Sequence, residues 1–248
     1  NALTVSEANT FNAGFNGVEK LSLSDALNQT SFDLGYLDSV SHVVLKGITG
    51  AETLAGFDSG DTLELTETLS DVLTASVNGA ATSTTDTLNV VLSANADDDY
   101  TSVAIANVET INVNATQSTA NAAIIENTIG MAITQATGGA AQTVNFTGTE
   151  AVTVDTAIAA GTINASGMTV TAATENGLTM STAHSAAQTI TGSGKVDTIY
   201  GSTKGDTIDG GAGADVIHGG TGADTIDGGA GTDTYHTTSM VAADIEGA

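Results

Sequence analysis

Short stretches in which apolar and polar residues alternate recur along the whole 248-residue chain. Such alternation places successive side chains on opposite faces of an extended strand, and the abundant Val, Ile, Leu and Thr favour strands over helices. The pattern predicts strands at residues 3–5, 18–23, 42–46, 62–65, 88–92, 108–113, 144–146 and 151–154. Weak helical patterns occur at residues 66–76 and 121–129, so we expect at most about a tenth of the chain to be helical.

From residue 142 onward the predicted strands follow one another at a nearly regular spacing. Their apolar centres are Val144, Val152, Ile163, Val170, Leu178, Ile190 and Ile199. A threonine stands directly before several of these centres, for example before Ile163 and Ile190. Evenly spaced short strands joined by turns that contain Asn or Gly predict one continuous parallel β-solenoid. We expect the solenoid to be right-handed, because crossover connections between parallel strands are right-handed.

The spacing becomes strict between residues 192 and 236, where five consecutive nine-residue units (nonads) share one register. The nonads read GSGKVDTIY, GSTKGDTID, GGAGADVIH, GGTGADTID and GGAGTDTYH. The last three match the repeat G-G-x-G-x-D-x-U-x, in which U is a large apolar residue. The first two keep the opening glycine, the aspartate and the isoleucine, but Ser193, Lys195, Ser202 and Lys204 replace glycines. A flexible linker would not keep an apolar residue at every eighth place, so the nonads predict ordered structure.

Each nonad supplies one three-residue strand and one glycine-rich turn. Glycine permits the positive φ that a tight turn requires, and alternation turns the apolar residue of the strand inward. Because two nonads complete one turn of the solenoid, strands eighteen residues apart stack on each other. The pattern therefore predicts an inner column of Ile199, Ile217 and Tyr235, facing Ile208 and Ile226.

The turns of the nonads combine peptide carbonyls with one aspartate each, and Ca²⁺ prefers six to eight such oxygen ligands. We expect the carbonyls of places one and three to face one neighbouring turn, and those of places two and four the other. Aspartates eighteen residues apart then pair across three sites or more: Asp197 with Asp215, Asp206 with Asp224, and Asp215 with Asp233. The candidate calcium ligands lie at Gly192, Asp197, Gly201, Asp206, Gly210, Gly211, Ala212, Gly213, Asp215, Gly219, Gly220, Thr221, Gly222, Asp224, Gly228, Gly229, Ala230, Gly231 and Asp233.

Two acidic stretches upstream are further calcium candidates. Residues 47–64 read as two degenerate nonads, GITGAETLA and GFDSGDTLE, in which Glu52, Asp58 and Asp61 could bind a cation. A dense acidic loop contains Asp97 and Asp99. The alternative interpretation is an ordinary turn before the strand at 62–65, and a solvated run of like charge at the loop.

Glutamates and histidines give weaker indications. Glu19, Glu109 and Glu150 each stand shortly before an apolar-x-apolar stretch, where they either ligate a metal or, as we expect, face solvent or an Asn and Thr ladder. His218 and His236 both occupy the ninth place of a nonad, so we expect their rings to stack at about 4.8 Å on one edge of the solenoid.

The composition limits the classes of function. With 29 acidic residues against four lysines and no arginine, the net charge is −25, which excludes binding to nucleic acid through its phosphates. No apolar run is long enough for a membrane span. The chain has no cysteine, so metal binding is the available way to reinforce its turns. No catalytic motif occurs, and we predict that the chain is not an enzyme.

The nonads at 192–236 resemble the calcium-binding repeats of RTX (repeat-in-toxin) proteins. The acidic, cysteine-free composition and the VETINV-type strands resemble one branch, the bacterial surface-layer (S-layer) proteins with RTX repeats. The resemblance implies type I secretion, folding outside the cell on binding Ca²⁺, and self-association into a surface lattice. Alternatives are an RTX adhesin segment that recognises a cell-surface glycan or another surface protein, or a non-catalytic region of a secreted hydrolase or toxin.

The pattern divides the chain into four regions. Residues 1–141 form an irregular β-rich region that includes the degenerate nonads at 47–64, and residues 142–191 form a calcium-free solenoid. Residues 192–236 form the RTX β-roll, and residues 237–248 form a tail in which no secretion signal is identified. We expect the chain to be a segment of a longer extracellular polypeptide.

Overall fold

The computed structural model describes residues 17–23, 31–37, 39–48, 50–94, 98–117, 126–134, 142–171 and 176–237. The described chain winds as a parallel β-solenoid that consists of two sheets of ten strands each. Successive strands along the chain alternate between the two sheets, so each strand pairs with the strand two places away in sequence. The all-β solenoid predicted from the strand spacing is confirmed.

The first sheet contains the odd-numbered strands. In spatial order they are β1 (Lys20–Leu23), β3 (His42–Leu45), β5 (Thr62–Leu65), β7 (Thr87–Ala94), β9 (Thr110–Gln117), β11 (Thr143–Gly148), β13 (Thr162–Met168), β15 (Thr189–Thr191), β17 (Thr207–Asp209) and β19 (Thr225–Asp227).

The second sheet contains the even-numbered strands. They are β2 (Phe32–Asp33), β4 (Glu52–Phe57), β6 (Leu73–Val77), β8 (Asp98–Ala106), β10 (Glu126–Thr134), β12 (Ala151–Val154), β14 (Leu178–Met180), β16 (Thr198–Ser202), β18 (Val216–Gly220) and β20 (Thr234–Thr237).

Apolar side chains from the two sheets fill the interior in stacked columns. In the first sheet, Leu63, Val90, Val113 and Phe146 lie in register on neighbouring strands, and all are fully buried. In the nonads, Ile199, Ile217 and Tyr235 form one column, as predicted. The predicted opposite column is also present, because Ile208 of β17 pairs with Ile226 of β19. The same inward place is therefore apolar over the length of the solenoid.

Among the described residues, the strands predicted from alternation up to residue 154 belong to the first sheet, except residues 151–154, which form β12 of the second sheet. Apart from the strand expected at residues 3–5, which lies outside the described residues, each predicted stretch contains or overlaps a strand. The second-sheet strands β2, β4, β6, β8 and β10 were not predicted as strands. They contain Gly, Ala or Asp, which have low β propensity, and their extended form depends on pairing within the sheet.

Both helical predictions are wrong where the structure describes them. Residues 66–72 form no helix, and Leu73 begins β6, where it pairs with Glu52 on one side and Val103 on the other. Of residues 121–129, the described part begins β10. Sheet pairing on two sides outweighs a weak helical preference. Val170 is likewise buried but lies after the end of β13, so it is not the centre of a strand. The sole helix in the described chain is a 3-10 turn at Leu34–Tyr36.

Candidate calcium-binding site

The five aspartates of the nonads lie directly before or at the start of the short strands. Asp206 and Asp224 precede β17 and β19 of the first sheet, whereas the others precede strands of the second sheet. Four of the five are buried, and Asp233 is half-buried. Burying a carboxylate is costly unless hydrogen bonds, a counter-charge or a metal ion compensates for the lost water.

The aspartates form a ladder of hydrogen bonds between consecutive turns. The backbone N–H of Asp197 donates to Asp215 Oδ1 at 2.8 Å, and that of Asp206 donates to Asp224 Oδ1 at 3.0 Å. The N–H of Asp215 donates in the same way to Asp233 Oδ1 at 3.0 Å. The structure therefore brings together the three predicted pairs. One oxygen of each of these carboxylates is held by the preceding turn, and the other faces its own turn.

The carbonyls of the turns alternate in direction, as predicted. The carbonyl of Ser193, in place two, accepts from Ala212 N of the next turn at 3.1 Å. The carbonyl of Ala230, in place three, accepts from Gly213 N of the previous turn at 2.8 Å. Facing turns therefore present carbonyl oxygens to each other. This arrangement supplies neutral oxygen ligands of the kind that Ca²⁺ takes from peptide groups.

The opening glycine of a nonad leaves space for a carbonyl and a carboxylate oxygen to approach each other. A Cβ atom on Gly210 would lie 2.6 Å from the carbonyl oxygen of Gly228 and 2.7 Å from Asp215 Oδ2. The equivalent distances at Gly201 are 2.4 Å to Gly219 O and 2.8 Å to Asp206 Oδ2. Two oxygens thus border a gap that any side chain would fill. Such a gap has the chemistry of a cation site.

Asp215 has a buried second carboxylate oxygen that has no hydrogen-bond partner among the described residues. Its Oδ2 atom is buried and makes no hydrogen bond within that part of the chain. Burial, together with the smaller effect of the nearby carboxylates of Asp197 and Asp233, raises the pKa of the Asp215 carboxyl to about 6, although the hydrogen bond from Asp197 N opposes the shift. A divalent cation beside Oδ2 would compensate for both the burial and the repulsion.

The ligand set implied by this geometry is mostly main-chain. No group of three or more His, Asp or Glu side chains converges anywhere in the part of the chain that the structure describes. A site with one or two carboxylates and several carbonyls still offers hard oxygens, which suit Ca²⁺ better than zinc or another soft-ligand metal. The residues of the intact nonads therefore fit calcium.

The turns of the intact nonads also differ in backbone conformation from those of the first two. Places two and four of the last three nonads all have positive φ: Gly211 +92°, Gly213 +154°, Gly220 +92°, Gly222 +139°, Gly229 +81° and Gly231 +147°. Among the described non-glycine residues, only Ser39 and Asn107 have positive φ, so the serines and lysines of the first two nonads do not share it. Glycine is required at these places because other residues resist that conformation.

The upstream candidates Asp58 and Asp61 lie together beside a cavity of about 280 Å³, but each has a protein partner. Asp61 Oδ2 accepts from the backbone N–H of Asp58 at 2.8 Å, and Asp58 Oδ1 accepts from Asn78 Nδ2 at 3.2 Å. Burial raises the pKa of the Asp61 carboxyl, which the bond from Asp58 N opposes. The stretch keeps the nonad register, since Asp61 directly precedes β5.

Part of the stretch that we predicted as an acidic loop belongs to a strand. Asp97 lies outside the described residues, whereas Asp99 belongs to β8 and is exposed. The backbone N–H of Asp99 donates to Thr68 Oγ1 at 3.4 Å, and its carbonyl accepts from Leu69 N at 3.0 Å. These contacts tie the residue to the segment before β6.

Of the three glutamates, which we expected to face solvent or an Asn and Thr ladder, two do not face solvent. Glu19 is exposed, but Glu109 and Glu150 are buried. Glu109 Oε2 accepts from the backbone N–H of Asp86 at 2.9 Å, which repeats the contact that Asp215 makes with the preceding turn. The bend before a strand encloses these carboxylates, which the alternating pattern of the strand itself could not indicate.

Residues with the role of the nonad aspartate continue upstream along the first sheet, and the sequence reasoning missed several of them. Asp86, Gln142 and Gln188 are buried and, like Asp206, stand immediately before a strand that begins with threonine. The backbone N–H of Gln188 donates to Asp206 Oδ1 at 2.7 Å, so the ladder extends beyond the nonads. The sequence signal that could have identified these residues is an acid or amide directly before the recurrent Thr–apolar pair.

The predicted histidine stack is present on the second sheet. The rings of His218 and His236 lie 4.5 Å apart at an interplanar angle of 9°, and Tyr200 stacks on His218 at 4.1 Å. Burial, and then the neighbouring His236, lower the pKa of His218. The face-to-face rings form a ladder of side chains on the sheet.

Comparison with known families agrees with this geometry. Residues 200–235 match the family model of the RTX calcium-binding nonapeptide repeat, in four copies. No curated protein is significantly similar to the chain. The matched repeats are a calcium-binding, non-catalytic structural element that is typical of secreted proteins. No helix among the described residues is long and apolar enough to cross a membrane.

Proposed function

We propose that the chain is a structural module of a secreted bacterial cell-surface protein of the S-layer type. In this proposal Ca²⁺ binds the nonad turns, completes folding outside the cell and supports lateral assembly into a lattice. We also propose that the chain is not an enzyme. The main support for the calcium role is the buried Oδ2 atom of Asp215. This atom has no hydrogen-bond partner in the described chain, and it borders the same gap as the carbonyl oxygen of Gly228.

Electrostatics explains why folding would depend on the ion. The chain carries a net charge of −25, and the nonads stack their aspartates at consecutive turns. Repulsion between these carboxylates opposes the compact state, and cations that bind only the folded turns stabilise it by mass action. The absence of cysteine removes disulfides as an alternative reinforcement. Folding therefore becomes favourable where calcium is abundant.

The surface role rests on composition and shape. A parallel solenoid exposes two long faces, and acidic, cysteine-free chains with RTX repeats resemble S-layer proteins. Repeated turns at a constant spacing could present calcium-bridged or polar contacts to a second copy along one edge. Lattice contacts, glycans and other surface proteins are the partners to test.

The calcium role is tested by melting the chain, monitored by circular dichroism, in millimolar calcium and in chelator. We expect a large rise in melting temperature with calcium, and calorimetry should detect uptake of several ions. Asp215→Asn keeps the size of the side chain but removes its charge, so it should weaken this response. Melts that do not respond to calcium, together with no calorimetric uptake, would refute the proposal.

Assembly is a separate measurement. Light scattering and electron microscopy of the protein at millimolar calcium should show sheets or large oligomers that dissolve in chelator. A chain that folds on calcium but stays strictly monomeric would retain the calcium role and contradict the lattice role.

A further inference from the structure

The aspartates of the first three nonads occupy equivalent positions but have different partners. A Cβ atom on Gly192 would lie 2.1 Å from Gly210 O and 2.8 Å from Asp197 Oδ2, which repeats the gap found at Gly201 and Gly210. The carbonyl of the next turn thus borders all three carboxylates in the same way. What differs is the residue in place two of the nonad.

In the first nonad, Ser193 occupies place two and binds both oxygens of Asp197. Its backbone N–H donates to Asp197 Oδ2 at 2.6 Å. Its Oγ atom lies 2.9 Å from Oδ1 and 3.0 Å from Oδ2 of the same carboxylate. Oγ also accepts from Lys195 N at 3.1 Å, so the hydroxyl both donates and accepts.

The second nonad repeats these contacts with Ser202 and Asp206. The backbone N–H of Ser202 donates to Asp206 Oδ2 at 2.6 Å, and its Oγ lies 2.9 Å from each carboxylate oxygen. The N–H of Lys204 donates to the same Oγ at 2.9 Å. Both serines are buried, with 4% and 0% of their surface exposed, so water does not compete for these bonds.

The third nonad has no such group. Gly211 stands in place two, and its backbone N–H donates to Asp209 Oδ1 at 3.0 Å instead of to Asp215. The Oδ2 atom of Asp215 is left without a hydrogen bond from the described residues. In the first two nonads, serine in place two therefore coincides with a satisfied carboxylate, whereas in the third nonad glycine in place two coincides with an unsatisfied Oδ2 atom of Asp215.

We propose that Ser193 and Ser202 replace calcium in the first two nonads, so that Asp197 and Asp206 are held by protein hydrogen bonds and the ions begin at the intact nonads. This inference rests on the proposed calcium role and narrows it to particular turns. A serine that already donates to both oxygens occupies the side of the carboxylate on which a cation would sit. The bonds to a charged acceptor are strong, because both partners are shielded from water.

Two turns that do not require calcium have a consequence for folding. They lie between the upstream solenoid and the intact nonads, so they continue the sheets before any ion binds. Stacked repeats need a neighbour on which to bury their apolar face. The serine turns therefore provide a template on which the calcium-dependent turns assemble in order towards the C-terminal end.

The test counts bound calcium ions per chain by equilibrium dialysis in four forms of the full chain. We expect Asp215→Asn to bind one ion fewer than the unaltered chain and Asp197→Asn to bind the same number. The double variant Ser193→Gly with Lys195→Gly restores the glycine pattern, and we expect it to bind one ion more. A lost ion in Asp197→Asn, or no gained ion in a folded double variant, would overturn the inference.

A calcium-free measurement tests the hydroxyl itself. In chelator, Ser193→Ala should lower the melting temperature because it removes the Oγ contacts while leaving the backbone unchanged; Thr203→Ala, in place three of the next nonad, is the exposed control. An unchanged melting temperature in Ser193→Ala would contradict the role of the hydroxyl. Failure of the unaltered chain to bind any calcium would instead refute the proposed function, and the two failures are therefore distinguishable.

Discussion

At the residue scale, the nonad aspartates meet across eighteen residues and the carbonyls of the turns alternate in direction. Both arrangements follow from fixed places in a stacked repeat, so the period of nine predicted them. It did not predict that Ser193 and Ser202 bind the aspartates of their own turns. In the sequence they are departures from the glycine pattern, and their compensating role depends on a side-chain direction that no period encodes.

Replacing a glycine in place two or four by alanine should lower the unfolding free energy much more than replacing the glycine in place three of the first nonad. Gly220 has φ +92°, and a Cβ there would lie only 1.9 Å from the carbonyl oxygen of Ser202. Gly220→Ala should therefore cost at least about 1 kcal/mol of unfolding free energy, measured by denaturant titration in calcium. Gly194→Ala is the matched control, because a Cβ at Gly194 has nothing within 4 Å. Equal costs for the two variants would contradict the turn geometry.

The buried aspartates predict an unusual pH dependence of the calcium-free protein. Burial raises the pKa of Asp197 and of Asp215 to about 6, from a usual value of 3.8. The folded state therefore holds these protons more tightly than the unfolded state, so their contribution to stability is present at low pH and is lost as the pH rises through about 6. In chelator, the melting temperature should fall between acid and neutral pH.

A comparison of variants isolates the aspartate from other titrating groups. Burial lowers the pKa of His184, which contributes in the opposite sense because stability is lost when that ring must be protonated. Asp215→Asn removes one of the raised carboxyls and leaves His184 unchanged. Its melting temperature should therefore vary less across the same pH range, and an identical slope would argue against the assignment.

At the element scale, the strands of the first sheet are easier to predict from the sequence than those of the second sheet. From β5 onward, every first-sheet strand begins with threonine and continues with Val, Ile or Leu, so the alternation of these strands is visible in the sequence. Second-sheet strands such as β8 and β10 begin among acids or contain glycine and methionine. They are extended because each lies between two parallel neighbours, and that pairing depends on residues 20 or more positions away. The local pattern of apolar and polar residues therefore could not predict these strands.

An asparagine ladder on the first sheet supports this pairing. Asn112 Nδ2 donates to Asn89 Oδ1 at 2.9 Å, and Asn145 Nδ2 donates to Asn112 Oδ1 at 2.9 Å. Asn112→Ala would remove both bonds and should lower the unfolding free energy by about 1–2 kcal/mol. Asn114→Ala, an exposed position in the same strand, should cost much less when both are measured by chemical denaturation. A comparable loss in both variants would show that the ladder contributes little.

At the scale of the whole molecule, the fold stacks acids along its length while providing few opposite charges. Two of the four lysines, Lys195 and Lys204, lie in the serine turns, and the salt bridges from Lys20 to Glu64 and from Lys46 to Glu67 involve exposed ammonium groups. Such pairs contribute little to stability. Buried acids and amides precede first-sheet strands from Asp86 to Asp224, with an interruption at Gly161 before β13. Hydrogen bonds hold the upstream members, and in our proposal calcium holds the last ones.

The excess charge leads to a prediction about salt. Without calcium, repulsion across a chain of net charge −25 opposes folding, and raising NaCl from about 0.01 M to about 1 M shortens the screening length from roughly 30 Å to 3 Å. The melting temperature in chelator should therefore rise with NaCl. In saturating calcium the same salt should have a smaller effect, since bound ions already neutralise the closest carboxylates. Calorimetric melts at several salt concentrations measure both series, and a calcium-free melting temperature that is flat or falls with NaCl would show that charge repulsion does not limit folding.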